Sequence, residues 1–207
     1  FSTTTRNTAS AWATAASFIP DYTADTQALN PYLYWKLDDV VGTKKNQNTT
    51  ALDYSSNNRN GLYDPTPYSG GFTMQQPGAF ASLTPNYSVL SAGGTGNNAS
   101  CITTNAAAEN PAPVTYSEII WFKTANGYSG GGKLIGFESK QTGVSDNSQG
   151  GQYDRMIFMD TTGYLTFGVW TGATTTITTN SRYNDGNWHM AVATMGGDPG
   201  GDGMMIY

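Results

Sequence analysis

The chain has 207 residues, of which 12% are charged and 13% are aromatic, and it carries 25 glycines and one cysteine. This length suits one sizeable all-β domain, and the composition favours strands joined by polar turns over helices. The formal net charge is -5 and the 10 basic residues form no stripe, so nucleic acid is not an expected partner. No apolar run is long enough to span a bilayer, and a single cysteine cannot build a disulfide framework.

The first 29 residues are rich in Thr, Ala and Ser and contain isolated apolar residues. They predict an extended N-terminal arm, although ASAWATAASF, residues 9–18, could also form a short helix. Asn30-Pro31 is a turn signal, and the alternation in YLYWKLDD then predicts the first clear strand, from Tyr32 to Asp39. We therefore expect an arm or linker over residues 1–29 and one domain over residues 30–207.

From Tyr116 onward the sequence reads as a regular meander. The alternating segments are YSEIIWFKT, GKLIGFES, YDRMIFMD, GYLTFGVW and TTTITTNS, and glycine-containing loops separate them. Short alternating strands at this spacing predict an antiparallel sandwich or barrel.

The closing stretch YNDGNWHMAVATMGGDPGGDGMMIY predicts a turn at Asn184 to Gly186, a central strand from Trp188 to Met195, a glycine-rich hairpin and the start of another strand. Neither face of the Trp188 to Met195 strand carries a charged residue, so we expect both faces to be covered. We also expect Trp35, Trp121 and Trp188 to be packing residues.

The order of these motifs resembles a known family. YWKLDD, ALDYSSNNRNGLYD, IIWFKT, KLIGF, YDRMIFMDTTGYLTFGVW and DGNWH followed by GMMIY are similar to the laminin-G-like and pentraxin-like jelly rolls of the concanavalin A-like lectin/glucanase superfamily. The resemblance covers about residues 30–207 and is closest to the version common in large secreted bacterial surface proteins. It implies an all-β, antiparallel two-sheet jelly-roll sandwich. In such domains several more strands follow the one that GMMIY begins, so we expect the last strands to be missing from these residues or supplied by a second chain.

The opening FSTTTRNTASAWATA resembles the mature N-terminus of exported bacterial surface proteins whose leaders are removed by the signal peptidase that also processes biofilm-fibre subunits. Together with the low charge and the abundance of Thr, Asn, Gly and Tyr, this likeness predicts a secreted, extracellular protein associated with the cell surface.

The residues do not favour an enzyme. Retaining glucanases of the superfamily carry an E-x-D-x-x-E cluster on one strand, whereas the three glutamates here, Glu109, Glu118 and Glu138, are far apart in sequence. His189 is the only histidine, and we expect it to pack mid-strand with its ring nitrogens bonded to backbone or hydroxyl groups. A zinc site would need more His or Cys ligands than the chain has. We therefore expect no catalytic residues.

Calcium is the one metal that the sequence suggests, as a structural ion. LDYSSNNRNG gathers side-chain oxygens at Asp53, Asn57, Asn58 and Asn60, and calcium takes such ligands on irregular loops. Related jelly rolls often bind a structural calcium near a loop of this kind. The alternative is a turn-forming Asn-rich loop that binds nothing.

A carbohydrate site would need aromatic rings beside polar groups. Rings at strand ends or near loops that could serve are those of Tyr153, Tyr164, Trp170 and Tyr183. The site that we predict is Tyr153, Asp154, Arg155 and Trp170, although Asp154 and Arg155 could equally form a surface ion pair.

The function that we expect is that of a non-catalytic exported surface module that binds glycan or protein in adhesion. An alternative is a structural subunit of a surface fibre, a homo-polymer in which the N-terminal arm adds as a strand to the next copy. A glycoside hydrolase ranks last because the paired carboxylates are absent from the sequence.

Overall fold

The computed structural model describes residues 22–40, 49–63, 70–80, 86–94, 100–104, 113–138, 153–170, 172–196 and 203–207, and for Thr49, Glu138, Tyr153 and Asp154 it describes the backbone alone. The described part contains a short helix α1 (Tyr22–Ala28) and twelve strands. The strands are β1 (Thr49–Ala51), β2 (Gly61–Tyr63), β3 (Phe72–Pro77), β4 (Tyr87–Ser91), β5 (Ile102–Thr104), β6 (Tyr116–Lys123), β7 (Gly132–Glu138), β8 (Tyr153–Met159), β9 (Tyr164–Trp170), β10 (Thr174–Arg182), β11 (Trp188–Met195) and β12 (Met204–Ile206).

Two antiparallel sheets pack face to face in the C-terminal part of the chain. One sheet has the strand order β10-β9-β8-β7 and the other has the order β12-β11-β6. Their facing sides form one buried cluster, in which Ile157 and Phe167 of the first sheet meet Phe122 and Ala191 of the second. The predicted all-β character is therefore confirmed, and the arrangement is that of a sandwich. The jelly-roll connectivity stays a prediction.

The core follows from the alternation of side chains along the strands. Leu165, Phe167 and Val169 are at most 4% exposed and lie on one face of β9 because a strand repeats every two residues. Small residues stand opposite them in β11, where Ala191 and Ala193 are fully buried. Large residues on one sheet thus fill the space that alanines leave on the other.

The predicted meander is confirmed for four of its five segments, while YSEIIWFKT becomes β6 of the opposite sheet. The segments GKLIGFES, YDRMIFMD, GYLTFGVW and TTTITTNS become β7 to β10 in one sheet. The turn at Asn184 to Gly186 is also present, since Gly186 has a φ of 84° and Asp185 Oδ1 accepts a hydrogen bond from Asn187 N at 2.9 Å. The hairpin before GMMIY is confirmed by the antiparallel pairing of β11 with β12.

The expectation that both faces of β11 are covered is only half right. The face carrying Ala191 and Ala193 is buried in the core, but on the other face Met190 is 45% exposed. Trp188 is half-buried and does not belong to the core cluster. It lies at the first position of β11, on the face that carries Met190 and is turned away from the core.

The N-terminal part is built from smaller pieces: a three-stranded sheet of order β1-β2-β5 and a hairpin of β3 and β4. It touches the outer face of β6 through an aromatic cluster, in which the Tyr22 and Phe80 rings lie 6.4 Å and 4.8 Å from the Trp121 ring. Trp121 Nε1 donates to Tyr22 Oη at 2.9 Å. Trp121 is a packing residue as expected, and so is Trp35, whose ring lies so close to Gly61 that a Cβ there would be 2.6 Å away.

Two predictions for the N-terminal part are wrong in local structure. Tyr22–Ala28 is helical where an extended arm was expected, while residues 1–21 lie outside the described part. Residues 32–39 form no regular strand, only a single bridge between Trp35 and Asp53, and Leu37 has a φ of 58°. The backbone amide of Tyr34 there donates to the carboxylate oxygen Oδ1 of Asp53 instead of to a carbonyl of a neighbouring strand.

Candidate functional site

The candidate site is the outer face of the four-stranded sheet, the side turned away from the core. Residues that are paired across two strands point to the same face, and the register pairs Trp170 with Thr174, Gly168 with Thr176 and Thr166 with Thr178. We call these six residues the threonine face. Thr174, Thr176 and Thr178 of the edge strand β10 are exposed, so this part of the face is open to a ligand.

Gly168 keeps the middle of the threonine face flat. A Cβ at this position would lie 3.4 Å from Thr176 Cγ2 and 3.9 Å from Phe158 Cε1, so any larger side chain would rise above its neighbours. Beside it, the hydroxyls of Thr166 and Thr178 bond each other at 2.9 Å. Because Thr166 is only 7% exposed, this bond fixes the Thr178 side chain that covers it.

An aromatic ring stands at each end of the threonine face. Trp170 ends β9 and is 56% exposed. Tyr164 begins β9, and the Arg182 guanidinium lies 5.3 Å from the centre of its ring. The six residues of the threonine face are therefore uncharged and rich in hydroxyl groups, and the Arg182 cation lies at one end.

Of the four predicted carbohydrate residues, the structure describes the side chains of Arg155 and Trp170, and these two are not brought together. Trp170 lies on the outer face, whereas Arg155 Nε donates to Pro113 O at 2.8 Å, just before β6 of the opposite sheet. Arg155 has a φ of 48° and stands at a register shift between β7 and β8, which turns it out of the regular alternation. The side chains of Tyr153 and Asp154 lie outside the described residues. Of the predicted set, Trp170 alone belongs to the threonine face.

The Asp53 loop, predicted as a calcium site, is held together by its own hydrogen bonds. Asp53 Oδ1 accepts from Tyr34 N and Ser55 N, both at 2.9 Å. Asp53 Oδ2 accepts from Ser55 Oγ at 2.6 Å and from Arg59 N at 2.7 Å. Partial burial opposes ionisation of Asp53, but the bonds from Ser55, Tyr34 and Arg59 outweigh it and lower the pKa of the carboxyl.

The asparagines of that loop are also engaged. Asn60 Oδ1 accepts from Asp53 N at 2.9 Å, Asn57 Nδ2 donates to the carbonyls of Pro31 and Tyr32, and Asn58 takes the turn conformation at a φ of 56°. Four donors thus occupy the Asp53 carboxylate in this arrangement, and the structural calcium stays a prediction.

His189 has a carboxylate partner, which its position in the sequence does not suggest. Its Nε2 lies 2.8 Å from Asp185 Oδ1 rather than against backbone or hydroxyl groups as expected. The bond from His189, helped by Asn187, lowers the pKa of Asp185. The His189 ring lies edge-on to Tyr183, with ring centres 5.0 Å apart, so the pair fixes the position of that tyrosine.

Glu118 is a buried carboxyl that the alternation of β6 sends into the sandwich. It is 5% exposed, and neither of its carboxyl oxygens has a hydrogen-bond partner among the described residues. Burial raises its pKa to about 8 although Lys133 and Arg155 act in the opposite direction. The group is thus neutral at pH 7.

Sequence reasoning missed the β10 threonines, although the signal was present. In TTTITTNS, Thr174, Thr176 and Thr178 share one face by the strand period. Only the pairing of β10 with β9 shows that this face also carries Trp170 and is not the one buried in the core.

Comparison of the chain with protein-family models, curated proteins and solved structures finds no match. The likeness to laminin-G-like jelly rolls therefore stays a prediction. Within the described residues, no helix has both the length and the apolar character needed to cross a membrane.

Proposed function

We propose that this protein is a non-catalytic glycan-binding module of an exported surface protein. The observation that carries the proposal is the 56% exposed Trp170 at the end of the threonine face. An indole ring packs against the C–H surface of a sugar, and its exposure to water is otherwise unfavourable. Threonine hydroxyls beside it donate to and accept from sugar hydroxyls.

The shape of the threonine face favours a chain over a single sugar. From Tyr164 to Trp170 the strand extends for about 20 Å, at about 3.3 Å for each residue. The flat surface at Gly168 leaves no wall that would enclose an isolated ring. An extended polysaccharide lying along β9 and β10 would meet both aromatic rings and the hydroxyls between them.

Export is supported by composition alone. Only 12% of the residues are charged, and the surface of β10 uses threonine where many proteins use Lys or Glu. Such a neutral, hydroxyl-rich surface suits contact with sugars outside the cell.

Binding to insoluble and soluble neutral polysaccharides tests this function, with mannan and cello-oligosaccharides as the first probes. Trp170→Ala should weaken binding about tenfold, which corresponds to about 1.4 kcal/mol, and should leave the melting temperature unchanged. Tyr87→Ala is the matched control, because Tyr87 is also exposed, at 40%, but lies on the β3–β4 hairpin. Because the central contacts are uncharged, binding should persist at high salt. Equal affinities for the two variants, or no binding to any polysaccharide, would contradict the proposal.

A further inference from the structure

A groove of about 320 Å³ runs between β10 of one sheet and β12 of the other. It exists because the pairing of β10 with β9 shifts register between Thr178 and Arg182. At this bulge Leu165 N donates to the Thr179 hydroxyl at 3.1 Å instead of to a backbone carbonyl. Residues 179–181 are thus out of the regular register with β9 where they line the space beside β12.

The lining of the groove combines apolar and polar residues. Its walls are Ile177 and Ile206, which also pack against the core. Two aromatic residues, Tyr183 and Tyr207, and two polar residues, Asn180 and Ser181, also line it. None of its lining residues is charged. Aromatic and aliphatic surface combined with a few polar groups is typical of sites for small uncharged ligands, and the volume lies in the usual range of about 300–1,000 Å³.

The two tyrosines play different parts in the groove. Tyr183 is fixed, because it packs against the core and against the ring of His189, which Asp185 holds. Tyr207 is 64% exposed, so a ligand could cover part of its solvent-exposed surface. Asn180 and Ser181 are exposed, and their side chains make no hydrogen bond within the described part of the chain. The groove therefore offers a fixed ring, an exposed ring and free hydrogen-bonding groups.

The groove is continuous with the threonine face. Thr178 belongs to both, since it pairs with Thr166 on the outer face and also lines the groove. The groove lies around the edge of β10, toward the opposite sheet, so a chain that follows the outer face cannot enter it along its length. A single sugar that branches from such a chain can enter the groove.

We propose that the groove binds a single neutral sugar ring that branches from the polysaccharide held on the threonine face. This inference rests on the proposed function and narrows its ligand class to neutral glycans with short side branches. Tyr183 and Tyr207 provide the ring surfaces, and Asn180 and Ser181 provide hydrogen bonds to the hydroxyls of the branch sugar.

The test compares glycans that share a main chain and differ only in single-sugar branches. Mannan is paired with galactomannan, and cello-oligosaccharides are paired with xyloglucan oligosaccharides. Affinities are measured by calorimetry for the wild-type chain, for Trp170→Ala and for the double variant Asn180→Ala/Tyr207→Ala. Both residues of the double variant are exposed, so the fold should persist, and a melting curve checks this.

We expect at least one branched glycan to bind about tenfold more tightly than its unbranched partner. The double variant should lose this preference and keep the affinity for the unbranched chain, whereas Trp170→Ala should weaken both by the same factor. Equal affinities for branched and unbranched glycans, with binding retained, overturn the groove proposal but not the proposed function. No binding to any of the four glycans overturns both.

A different occupant would give a different result. If the groove and the free side of β12 take a strand from a second copy of the chain, sedimentation would show a concentration-dependent dimer. The double variant would weaken that dimer, and the branched glycans would show no preference. This outcome also overturns the proposal.

Discussion

The two parts of the molecule are stabilised in different ways. The sandwich of β6 to β12 has a continuous apolar core, in which Phe167 and Ile157 are fully buried. Among the described residues of the N-terminal part, few apolar side chains are buried, and carboxylates accept hydrogen bonds from backbone and side-chain donors. Asp53 accepts from three backbone amides and one hydroxyl. Asp39, 8% exposed, accepts from Leu52 N and from the Tyr63 hydroxyl.

This difference predicts different responses to mutation and to pH. Removing apolar volume should unfold the sandwich, whereas removing a charge should loosen the N-terminal part alone. The pKa of Asp53 is lowered in the fold and that of Glu118 is raised. The N-terminal part should therefore weaken toward acid pH and the sandwich toward alkaline pH.

The largest effect should come from Phe167→Ala. Phe167 is 0% exposed, and emptying such a site costs about 3 to 5 kcal/mol of unfolding free energy. Trp188→Ala is the comparison, because Trp188 is half-buried and lies outside the core cluster. Chemical denaturation should show a clearly smaller loss for Trp188→Ala. Equal losses would mean that the core extends to the end of β11.

Glu118→Gln should change how stability depends on pH. The carboxyl keeps its proton in the fold up to a pKa of about 8, whereas its ordinary value is 4.5. Its contribution is fully present below pH 4.5 and is lost as pH rises through 8, with a slope of about 1.4 kcal/mol for each pH unit. The glutamine variant should lack this slope and be the more stable protein at pH 8. Denaturation curves measured from pH 5 to pH 9 check this, and parallel curves for the two proteins would contradict it.

Asp53→Asn should destabilise the N-terminal part by about 2 kcal/mol, in the range for hydrogen bonds to a charged group. In the variant an NH2 group replaces one of the two carboxylate oxygens, so a donor faces the donors that this oxygen had accepted from. Amide hydrogen exchange should speed up at Tyr34 and Arg59 and stay unchanged in β9. Asp38→Asn is the control, since the ion pair of Asp38 with Lys36 is partly exposed and its removal should cost less than about 1 kcal/mol. Faster exchange across β9 would show that the two parts unfold together.

Acid titration tests the same carboxylate in the wild-type chain. Because its folded pKa is below the ordinary 3.8, the stabilisation from Asp53 is present above pH 3.8 and is lost as pH falls through the lower folded value. Exchange at Arg59 should thus rise in acid before exchange in β9 does. The Asp53→Asn variant should show no such early rise.

Calcium should produce the smallest effect. Since four donors occupy the Asp53 carboxylate, we expect the same melting temperature with excess calcium and with a chelator. A ligand that binds only the folded state raises its stability by mass action. A higher melting temperature in calcium that Asp53→Asn abolishes would show that the loop rearranges to bind the ion.

The sequence determined most of the sandwich. The segments from Tyr116 to Arg182 alternate with period two and are separated by glycine-rich turns, and each becomes a strand within a residue or two of the predicted bounds. Here pattern and packing agree, because alternating apolar residues can be buried only by pairing strands into a sheet. The turn before Trp188 was equally readable, since an Asp-Gly pair accepts the required backbone angles.

Only the tertiary structure decided the rest. Residues 32–39 alternate like a strand, but the Tyr34 amide donates to the side-chain carboxylate of Asp53, 19 residues along the chain, and no local pattern shows such a partner. Periodicity sorts residues into two faces without saying which face is buried. It therefore could not predict that Glu118 is buried in the core or that the β10 threonines are exposed to solvent. The groove depends on a bulge in β10 and on the approach of β12 from the other sheet. Both features depend on how segments far apart in the sequence lie next to each other, and this is fixed only when the chain folds.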